Sequence, residues 1–307
     1  MDVKRLSWFL CIAETGSLSK AALQLQVSHS MLSRGIQDLE QELGHRLFHR
    51  TGRGMHPTEF GRRLAPLAQR ATLEVTRFTD EAKALRGKLS GSVAIGLPGS
   101  IAARLVGPLV RVSRTRYPEL SLRFVEGLSG GVEEWLAARR IDIGLVFARE
   151  TGVGRGAIPL ASSSLYLVGP AGDPITAKRT VPLAHLARCE IMLPGRPHSV
   201  RTMVEDACSA AGFKLRLLCE IDSLLAIKET VVGGCGHTIS GYDSVADDVA
   251  AGRLQAALIK DPTISRVLVM TTGPKHSITT ATRAVASLIA SVAATLVAKG
   301  TWRPPGG

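Results

Sequence analysis

The sequence predicts an α+β protein with several domains: a small helical head, a long linker helix, and a larger domain built from two α/β lobes. Three observations lead to this prediction. Residues 17–44 carry apolar side chains at the spacing of two short helices joined by a tight turn. Residues 59–86 keep a helical apolar repeat over a much longer stretch. From Val93 onward, short apolar segments of strand length alternate with helical segments.

Size and composition agree with this organisation. A chain of 307 residues is long for one core and sufficient for two or three. A hydrophobic content of 45% with 21% charged residues is typical of a folded globular protein. The net charge of +12 favours a polyanionic partner, although charge alone does not separate nucleic acid from an anionic membrane.

The head is predicted to contain three helices. The first has an apolar stripe formed by Leu6, Phe9, Leu10 and Ala13. The second follows Gly16, with Ser17 as its N-cap, and runs to about Leu25. The third begins after Ser28, which can cap it, and ends at Gly44, a residue suited to the left-handed C-terminal position.

The third helix has two different faces. Its buried face is predicted to consist of Met31 or Leu32, Ile36, Leu39 and Leu43. The side chains left outside on its first two turns are His29, Ser30, Ser33, Arg34 and Gln37. Within this helix, no acidic residue precedes Asp38. Such a face suits the DNA major groove, because a carboxylate there would meet phosphate. An ordinary helical hairpin with a solvated face has the same spacing, so spacing alone leaves both interpretations open.

The segment after the third helix has the composition of a β-hairpin. Leu47 and Phe48 can anchor its first strand, and two nearby glycines can turn it. Arg50 and Arg53 would then lie at the tip. This is how a winged helix-turn-helix reaches the DNA backbone or minor groove beside its recognition helix.

Together these motifs resemble the amino-terminal domain of LysR-type transcriptional regulators. The residues that carry the resemblance are Leu6, Phe9, Ala13, Glu14, Gly16, Ser17, Ala21, Ala22, Leu25, Val27, Ser28, Leu32, Ser33, Arg34, Ile36, Leu39, Glu40, Leu43, Gly44, Leu47, Phe48, Arg50, Pro57, Thr58 and Gly61. The resemblance is dense over about the first sixty residues and extends over the rest in outline. It implies a sequence-specific regulator that binds double-stranded DNA as a homodimer or homotetramer and responds to a small-molecule effector.

The DNA contacts are predicted on the third helix and the wing. We expect base edges or nearby phosphates to be approached by His29, Ser30 and Arg34. We expect the DNA backbone to be held by Ser28, Ser33, Arg50 and Arg53. His29-Ser30 stands where the family usually has Gln-Pro, which removes a proline at the first helical position and changes the donors offered to the groove. The operator of a relative therefore does not transfer to this chain.

A long helix is predicted to follow the wing, capped by Thr58 and running to about Leu85. Its apolar seam alternates steps of three and four at Phe60, Leu64, Leu67, Ala71, Val75, Phe78, Ala82 and Leu85. Pro66 lies within the seam and should either kink the first turns or delay the helix start. Such a helix can pair with its copy and hold two recognition helices at a fixed separation.

The predicted domain boundaries follow from these patterns. The winged helix-turn-helix covers residues 1–58, the linker and dimerisation helix covers 59–86, and a hinge covers 87–92. The effector domain spans residues 93–307. Within it, lobe one contains residues 93–161 and 270–300, and lobe two contains residues 162–269. Its strands are predicted at residues 93–97, 120–126, 141–147, 165–169, 191–193, 215–221, 236–240 and 266–272. This plan is similar to periplasmic binding proteins, in which a ligand held between two lobes favours one closure angle.

An effector should bind beyond the carboxyl ends of the strands, where helix N-termini present free N–H groups. Ser100 and Ser129 are the candidates in lobe one, and His198 and Thr238 are those in lobe two. Phe147, at the end of its strand, could supply an apolar wall. As a set they predict a small anionic or polar metabolite.

Two other functions fit parts of the sequence. Gly127-Leu128-Ser129-Gly130-Gly131 matches the G-x-S-x-G pattern of a hydrolase, with Asp222 or Asp243 and His237 available to complete a triad. The pattern is common in Gly/Ser-rich loops, and only one strand precedes Leu120 in this lobe, so we do not expect an enzyme. A metabolite-sensing protein that binds DNA without sequence choice is the second alternative.

Neither a cofactor nor a metal site is predicted. The five cysteines, Cys11, Cys189, Cys208, Cys219 and Cys235, are odd in number and scattered, which argues against a disulfide framework. Some LysR-type regulators sense peroxide through a cysteine pair, but no cation near Cys208 or Cys219 would lower a thiol pKa. Cys235 and His237 lack a second pair of ligands, and no P-loop occurs.

We expect a cytoplasmic protein. No apolar segment with a cleavage site follows Met1-Asp2-Val3-Lys4-Arg5. The longest apolar stretch, residues 284–298, is interrupted by Ser287 and Ser291 and is predicted to fall short of a membrane span.

Overall fold

Two units of the chain, Met1–Lys88 and Leu89–Gly307, fold separately around their own cores. A computed structural model describes residues 2–51, 54–84, 89–149, 152–154, 156–273 and 278–305, with only the backbone described at residues 50, 51, 80, 83 and 84.

The first unit contains four helices and a two-stranded hairpin among its described residues. The elements are α1 (Val3–Thr15), α2 (Leu18–Leu25), α3 (His29–Leu43), β1 (Phe48–Thr51), β2 (Gly54–Pro57) and α4 (Glu59–Ala84). The predicted caps are present, since the hydroxyl of Ser17 accepts the Lys20 N–H and that of Ser28 accepts the Met31 N–H at 3.2 Å. β1 and β2 are antiparallel, with Phe48 opposite Pro57.

The core of the first unit lies between α1, α2, α3 and the hairpin. Its fully buried side chains include Phe9, Ile12, Leu32, Ile36, Leu39 and Leu47. The rings of Phe9 and Phe48 meet edge to face at 5.5 Å. Of the two residues that the sequence offered for the first buried position of α3, Leu32 is inside and Met31 is half exposed.

Helix α4 begins at Glu59, where the Gly61 N–H donates to Thr58 Oγ1 at 2.9 Å. The helix continues through Pro66, so the predicted late start is wrong. The predicted seam divides into two parts. Phe60, Leu64 and Ala71 pack against the core of the first unit. Leu67, Val75 and Phe78 are exposed, with Phe78 at 76%.

The second unit alternates strands and helices as predicted. Its strands are β3 (Gly91–Leu97), β4 (Leu120–Glu126), β5 (Ile143–Ala148), β6 (Ile158–Pro170), β7 (Thr180–Pro182), β8 (Glu190–Leu193), β9 (Arg216–Glu220), β10 (His237–Gly241), β11 (Leu254–Lys260) and β12 (Ser265–Thr272). Its helices are α5 (Gly99–Arg116), α6 (Ser129–Ala137), α7 (Ser199–Ala210), α8 (Leu224–Val232), α9 (Tyr242–Ala250) and α10 (Thr280–Ala298), with a 3₁₀ helix at Leu183–Arg188.

The strands are hydrogen-bonded in the order β4-β3-β5-β12-β6-β10-β8-β9, and β11 pairs with β6 and β7. Lobe one contains β3, β4, β5, β12 and the first half of β6, with α5, α6 and α10. Lobe two contains the second half of β6 with β7 to β11 and α7 to α9. The chain therefore crosses between the lobes within β6 and again just before β12.

Three sequence predictions for this unit are corrected. β6 is one continuous strand from Ile158, because the small polar run at residues 162–164 pairs with β12 although it hides the apolar pattern. β11 was not predicted, since its alanines have low strand propensity. Residues 91 and 92 of the predicted hinge belong to β3, and residues 86–88 lie outside the described residues.

Helix α10 is 19 residues long with a mean hydropathy of 1.7, so by length and composition it could cross a membrane, contrary to the sequence prediction. Its apolar face instead packs inside lobe one. Val285, Leu288 and Ile289 are buried against the core that contains Ile95 and Leu105. The composition of α10 is therefore that of a core helix.

Candidate DNA-binding surface and ligand cleft

The first two turns of α3 present a polar face free of acidic residues. His29, Ser30 and Arg34 are exposed, and Ser33 is half-buried. Ser28 is exposed too, but its hydroxyl caps the helix at Met31 N and lies 3.2 Å from Ser30 Oγ. The three side chains predicted to approach base edges are therefore accessible, while Ser28 also caps the N-terminus of α3.

The opposite face of α3 is seated on an aromatic ring that sequence analysis did not single out. Gly35 lies against Trp8, and a Cβ atom at position 35 would lie 2.2 Å from a ring carbon of Trp8. Trp8 is buried, so its ring cannot turn aside. The signal in the sequence was a glycine inside a helix, a position where close packing is a common reason for glycine.

Glu40 joins α3 to the wing. Its Oε1 accepts the Leu47 N–H at 2.7 Å and the Phe48 N–H at 3.2 Å. Thr58 completes the connection by donating its hydroxyl to Arg46 O at 2.8 Å. The wing is therefore held to the carboxyl-terminal half of α3 by charge-assisted hydrogen bonds.

Both wing arginines lie at the limit of what the structure describes. Arg50 belongs to β1, where its backbone is described and its side chain is not. Arg53 lies outside the described residues.

The second unit contains a cleft of about 370 Å³ between the two lobes. It lies beyond the carboxyl ends of β3, β4, β8 and β9. Ser100, His198 and Thr238 line it, as predicted for an effector site, whereas Ser129 and Phe147 are not among its lining residues. A volume of this size is suited to a small metabolite.

Each predicted cleft residue has a definite environment. Thr238 is buried and its hydroxyl donates to Met192 O at 2.8 Å, so it ties β10 to β8. Ser129 is the first residue of α6. Phe147 packs under Arg266, whose guanidinium carbon lies 3.5 Å from the ring centroid. Phe147 therefore supports a residue of the cleft from behind instead of forming its wall.

Arg266, which sequence analysis missed, is the most unusual side chain of the cleft. It is only 3% exposed, and its Nε has no hydrogen-bond partner. Among the described residues, none places a carboxylate within 4 Å of its guanidinium. Burial lowers the pKa of Arg266 to about 10, an effect that Asp243 opposes, so the group is charged at neutral pH. The feature of the sequence that could have indicated Arg266 is an arginine at the start of an otherwise apolar strand.

His198 is neutral at physiological pH. Burial lowers its pKa to about 4, with a further lowering from the Arg266 charge and an opposing effect of Asp222. Its Nδ1 accepts the Val200 N–H at 3.2 Å, which places the proton of the neutral ring on Nε2. His198 therefore caps α7 and offers one N–H donor.

We expect the contribution of His198 to the stability of the second unit to fall as the pH drops from about 6.5 to about 4, and to level off below that window. The unfolded chain protonates His198 first, so protonation draws the equilibrium toward unfolding by up to about 1.4 kcal/mol per pH unit. Urea unfolding of wild type and His198→Gln across this window measures the difference. Parallel pH profiles for the two proteins would contradict the assignment.

A hydrolase triad is not assembled. His237 Nε2 lies 3.3 Å from Asp173 Oδ1 within lobe two, and Asp222 accepts the Gly195 N–H. In the described part of the chain, no hydrogen bond joins Ser129 to a histidine. That same part contains no cluster of three metal-ligating side chains.

Three of the five cysteines are buried, as is typical of structural cysteines. Cys11, Cys189 and Cys208 are buried, and Cys219 and Cys235 are exposed. Burial, with a smaller effect of Glu205, raises the pKa of the Cys208 thiol to about 11, which disfavours the reactive thiolate.

A helix-turn-helix with an acid-free exposed face and a two-lobed domain with a metabolite-sized cleft define a ligand-responsive DNA-binding regulator of transcription. The family follows from sequence comparison. Residues 3–62 match the family model "Bacterial regulatory helix-turn-helix protein, lysR family", and residues 86–294 match "LysR substrate binding domain". The chain belongs to the LysR family of transcriptional regulators, and it is not an enzyme.

Similar proteins span its whole length. The nitrogen assimilation regulatory protein nac of Klebsiella aerogenes is 27% identical over 293 residues, covering 95% of each chain. The HTH-type transcriptional regulator BbuR of Bordetella bronchiseptica is 28% identical over 302 residues, covering 98% of this chain and 93% of BbuR. Full-length CbnR in complex with its target DNA has the same fold, with a TM-score of 0.70, 22% identity and coverage of 96% and 99%.

Proposed function

We propose that this LysR-family regulator reads its operator through the exposed face of α3. The observation that carries the proposal is the division of that helix: His29, Ser30 and Arg34 are outside, whereas Leu32 and Ile36 are fully buried in the head. Polar donors without carboxylates can hydrogen-bond to base edges in the major groove. Ser28, Ser33, Arg50 and Arg53 would hold the phosphate backbone on either side.

A second copy of the chain is expected to pair along α4. Leu67, Val75 and Phe78 are apolar and exposed on that helix, and the helical period places them near one face. Pairing would bury them and hold two α3 helices at a fixed separation, as a dimer or as part of a tetramer. Such a regulator would work in the cytoplasm, where its DNA is.

The interlobe cleft is expected to hold the effector, with Ser100 and His198 on its walls. One crossing between the lobes lies within β6 and the other lies just before β12, so a ligand touching both sides would bias the closure angle of the lobes. Two ion pairs already bridge the lobes, Arg104 with Asp247 at 2.7 Å and Arg149 with Asp206. A ligand that changes the angle must rearrange these pairs.

Replacing Arg53 with alanine is expected to weaken binding to operator and bulk DNA alike, and to reduce the salt dependence of binding by about one counterion. Fluorescence titrations at several salt concentrations measure both effects. Arg140→Ala removes the same charge from an exposed site on the second unit and serves as the control. If the salt dependence of DNA binding were unchanged in Arg53→Ala, the wing tip would not be in contact with the DNA.

The same titrations test sequence choice. In a footprint with excess bulk DNA, the regulator should protect one interrupted inverted repeat. Uniform protection along the fragment would favour the alternative in which DNA is bound without sequence choice.

A further inference from the structure

The charged groups of the cleft differ in burial. Arg266 lines the cleft, is buried, and has no ion-pair partner among the described residues. Glu126 and Asp222 also line the cleft, but both are exposed. Glu126 belongs to lobe one, at the end of β4, and Asp222 belongs to lobe two, just after β9. The cleft is therefore lined by one buried cation and by one exposed carboxylate from each lobe.

The other ionisable groups of the cleft do not alter this pattern. Lys228 lines the cleft, but its Nζ is 2.7 Å from the buried carboxylate of Asp248, so its charge is already neutralised. His198 is neutral, as described above. Asp243 reduces the effect of burial on Arg266 without forming an ion pair, and its Oδ1 accepts a hydrogen bond from Ser163.

A buried guanidinium that forms no ion pair is destabilising; the Asp243 charge offsets part of the penalty, and an anionic ligand would relieve more of it. The position of Glu126 decides what else the ligand must carry. Its Oε1 lies so close to Gly99 that a Cβ atom at position 99 would be 2.1 Å away, which puts a carboxylate at the N-terminus of α5. A simple anion would meet Glu126 there instead of a free helix N-terminus.

We infer that the effector is a small zwitterion of the amino-acid class, with its carboxylate on Arg266 and its ammonium group between Glu126 and Asp222. This inference rests on the proposed role of the cleft as the effector site, and it narrows the small anionic or polar metabolite expected from the sequence to one that carries both charges. The apolar part of the ligand would lie against Ile221, Leu224 and Ile227. Because the ammonium group contacts both lobes, its binding favours closure.

The test is binding of matched probes to the full-length protein by thermal shift and calorimetry. The probes are the twenty L-amino acids, the amine that each yields on loss of its carboxyl group, and the carboxylic acid that each yields on loss of its amino group. We expect at least one amino acid to bind, and its amine and its acid to bind about ten- to a hundredfold more weakly, since each loses charge-assisted hydrogen bonds.

Three substitutions assign the contacts. Arg266→Met, which removes an unpaired buried charge and should fold, is expected to abolish binding of the amino acid and of the acid. Glu126→Gln and Asp222→Asn should weaken binding of the amino acid, because its ammonium group loses a carboxylate partner. They should strengthen binding of the carboxylic acid, because it is repelled by fewer carboxylates. Glu134→Gln, an exposed site on α6 outside the cleft lining, is the matched control and should change neither.

The inference is overturned if no L-amino acid binds, or if a simple carboxylic acid binds as tightly as its amino acid and is indifferent to Glu126→Gln. In the latter case, Arg266-dependent binding of the acid would still support the cleft as the effector site. Binding that survives Arg266→Met would instead contradict both the inference and the proposed site.

Discussion

Replacing Gly35 with alanine is expected to lower the free energy of unfolding of the first unit by about 1–3 kcal/mol or more, and to abolish specific DNA binding. The added Cβ would lie 2.2 and 2.6 Å from two ring carbons of Trp8. Since Trp8 is only 8% exposed, α3 must move away from α1 to relieve the clash. That movement misplaces the whole exposed face of α3. Urea unfolding and DNA titration of the variant measure the two effects.

The chain offers a matched control and a rescue. Gly107→Ala makes the same change inside helix α5, where nothing lies within 4 Å of the new Cβ, and it should be neutral or slightly stabilising. Adding Trp8→Leu to Gly35→Ala should recover part of the lost stability, because the smaller side chain leaves room. A Gly35→Ala protein that binds DNA normally would show that α3 is not seated by Trp8.

Replacing Glu40 with alanine should lower the free energy of unfolding of the first unit by about 2–4 kcal/mol. The backbone N–H groups of Leu47 and Phe48 would lose the carboxylate oxygen that accepts their hydrogen bonds. Both residues are buried at the base of the wing. The wing would then lose its fixed position relative to α3. Denaturant unfolding gives the stability change, and footprinting gives the loss of protection beside the recognition helix.

Two variants at neighbouring positions make this result specific. Glu40→Gln keeps an oxygen acceptor without the charge and should fall between wild type and Glu40→Ala. Gln41→Ala changes the next, exposed residue of α3 and should alter stability by less than about 0.5 kcal/mol. Equal losses at positions 40 and 41 would mean that helix propensity, and not the link to the wing, is responsible.

Local signals were sufficient to predict most of the fold. Ser17, Ser28 and Gly44 mark the ends of α2 and α3 because their capping chemistry is local. The faces of α3 follow from its helical period, with only Met31 and Leu32 left to be separated by packing. The two strands missed in part or whole, β6 and β11, have serines or alanines where strand patterns call for large apolar side chains.

The cleft was harder to predict because its chemistry depends on contacts between distant segments. Ser100 and His198 could be anticipated from their places after β3 and β8. Arg266 could not, since its burial, its stacking on Phe147 and its lack of an ion pair appear only when β5 and β12 are paired. The same is true of Glu126 over Gly99, a contact between the ends of two parallel strands.

The outer face of α3 is proposed to select the DNA sequence. The decisive measurement is selection from a random DNA library by wild type, His29→Ala and the control Arg140→Ala, followed by sequencing. We predict that wild type and the control enrich the same interrupted inverted repeat, and that His29→Ala enriches a repeat altered at corresponding bases of both half-sites. Enrichment of the unaltered repeat by His29→Ala would contradict the claim.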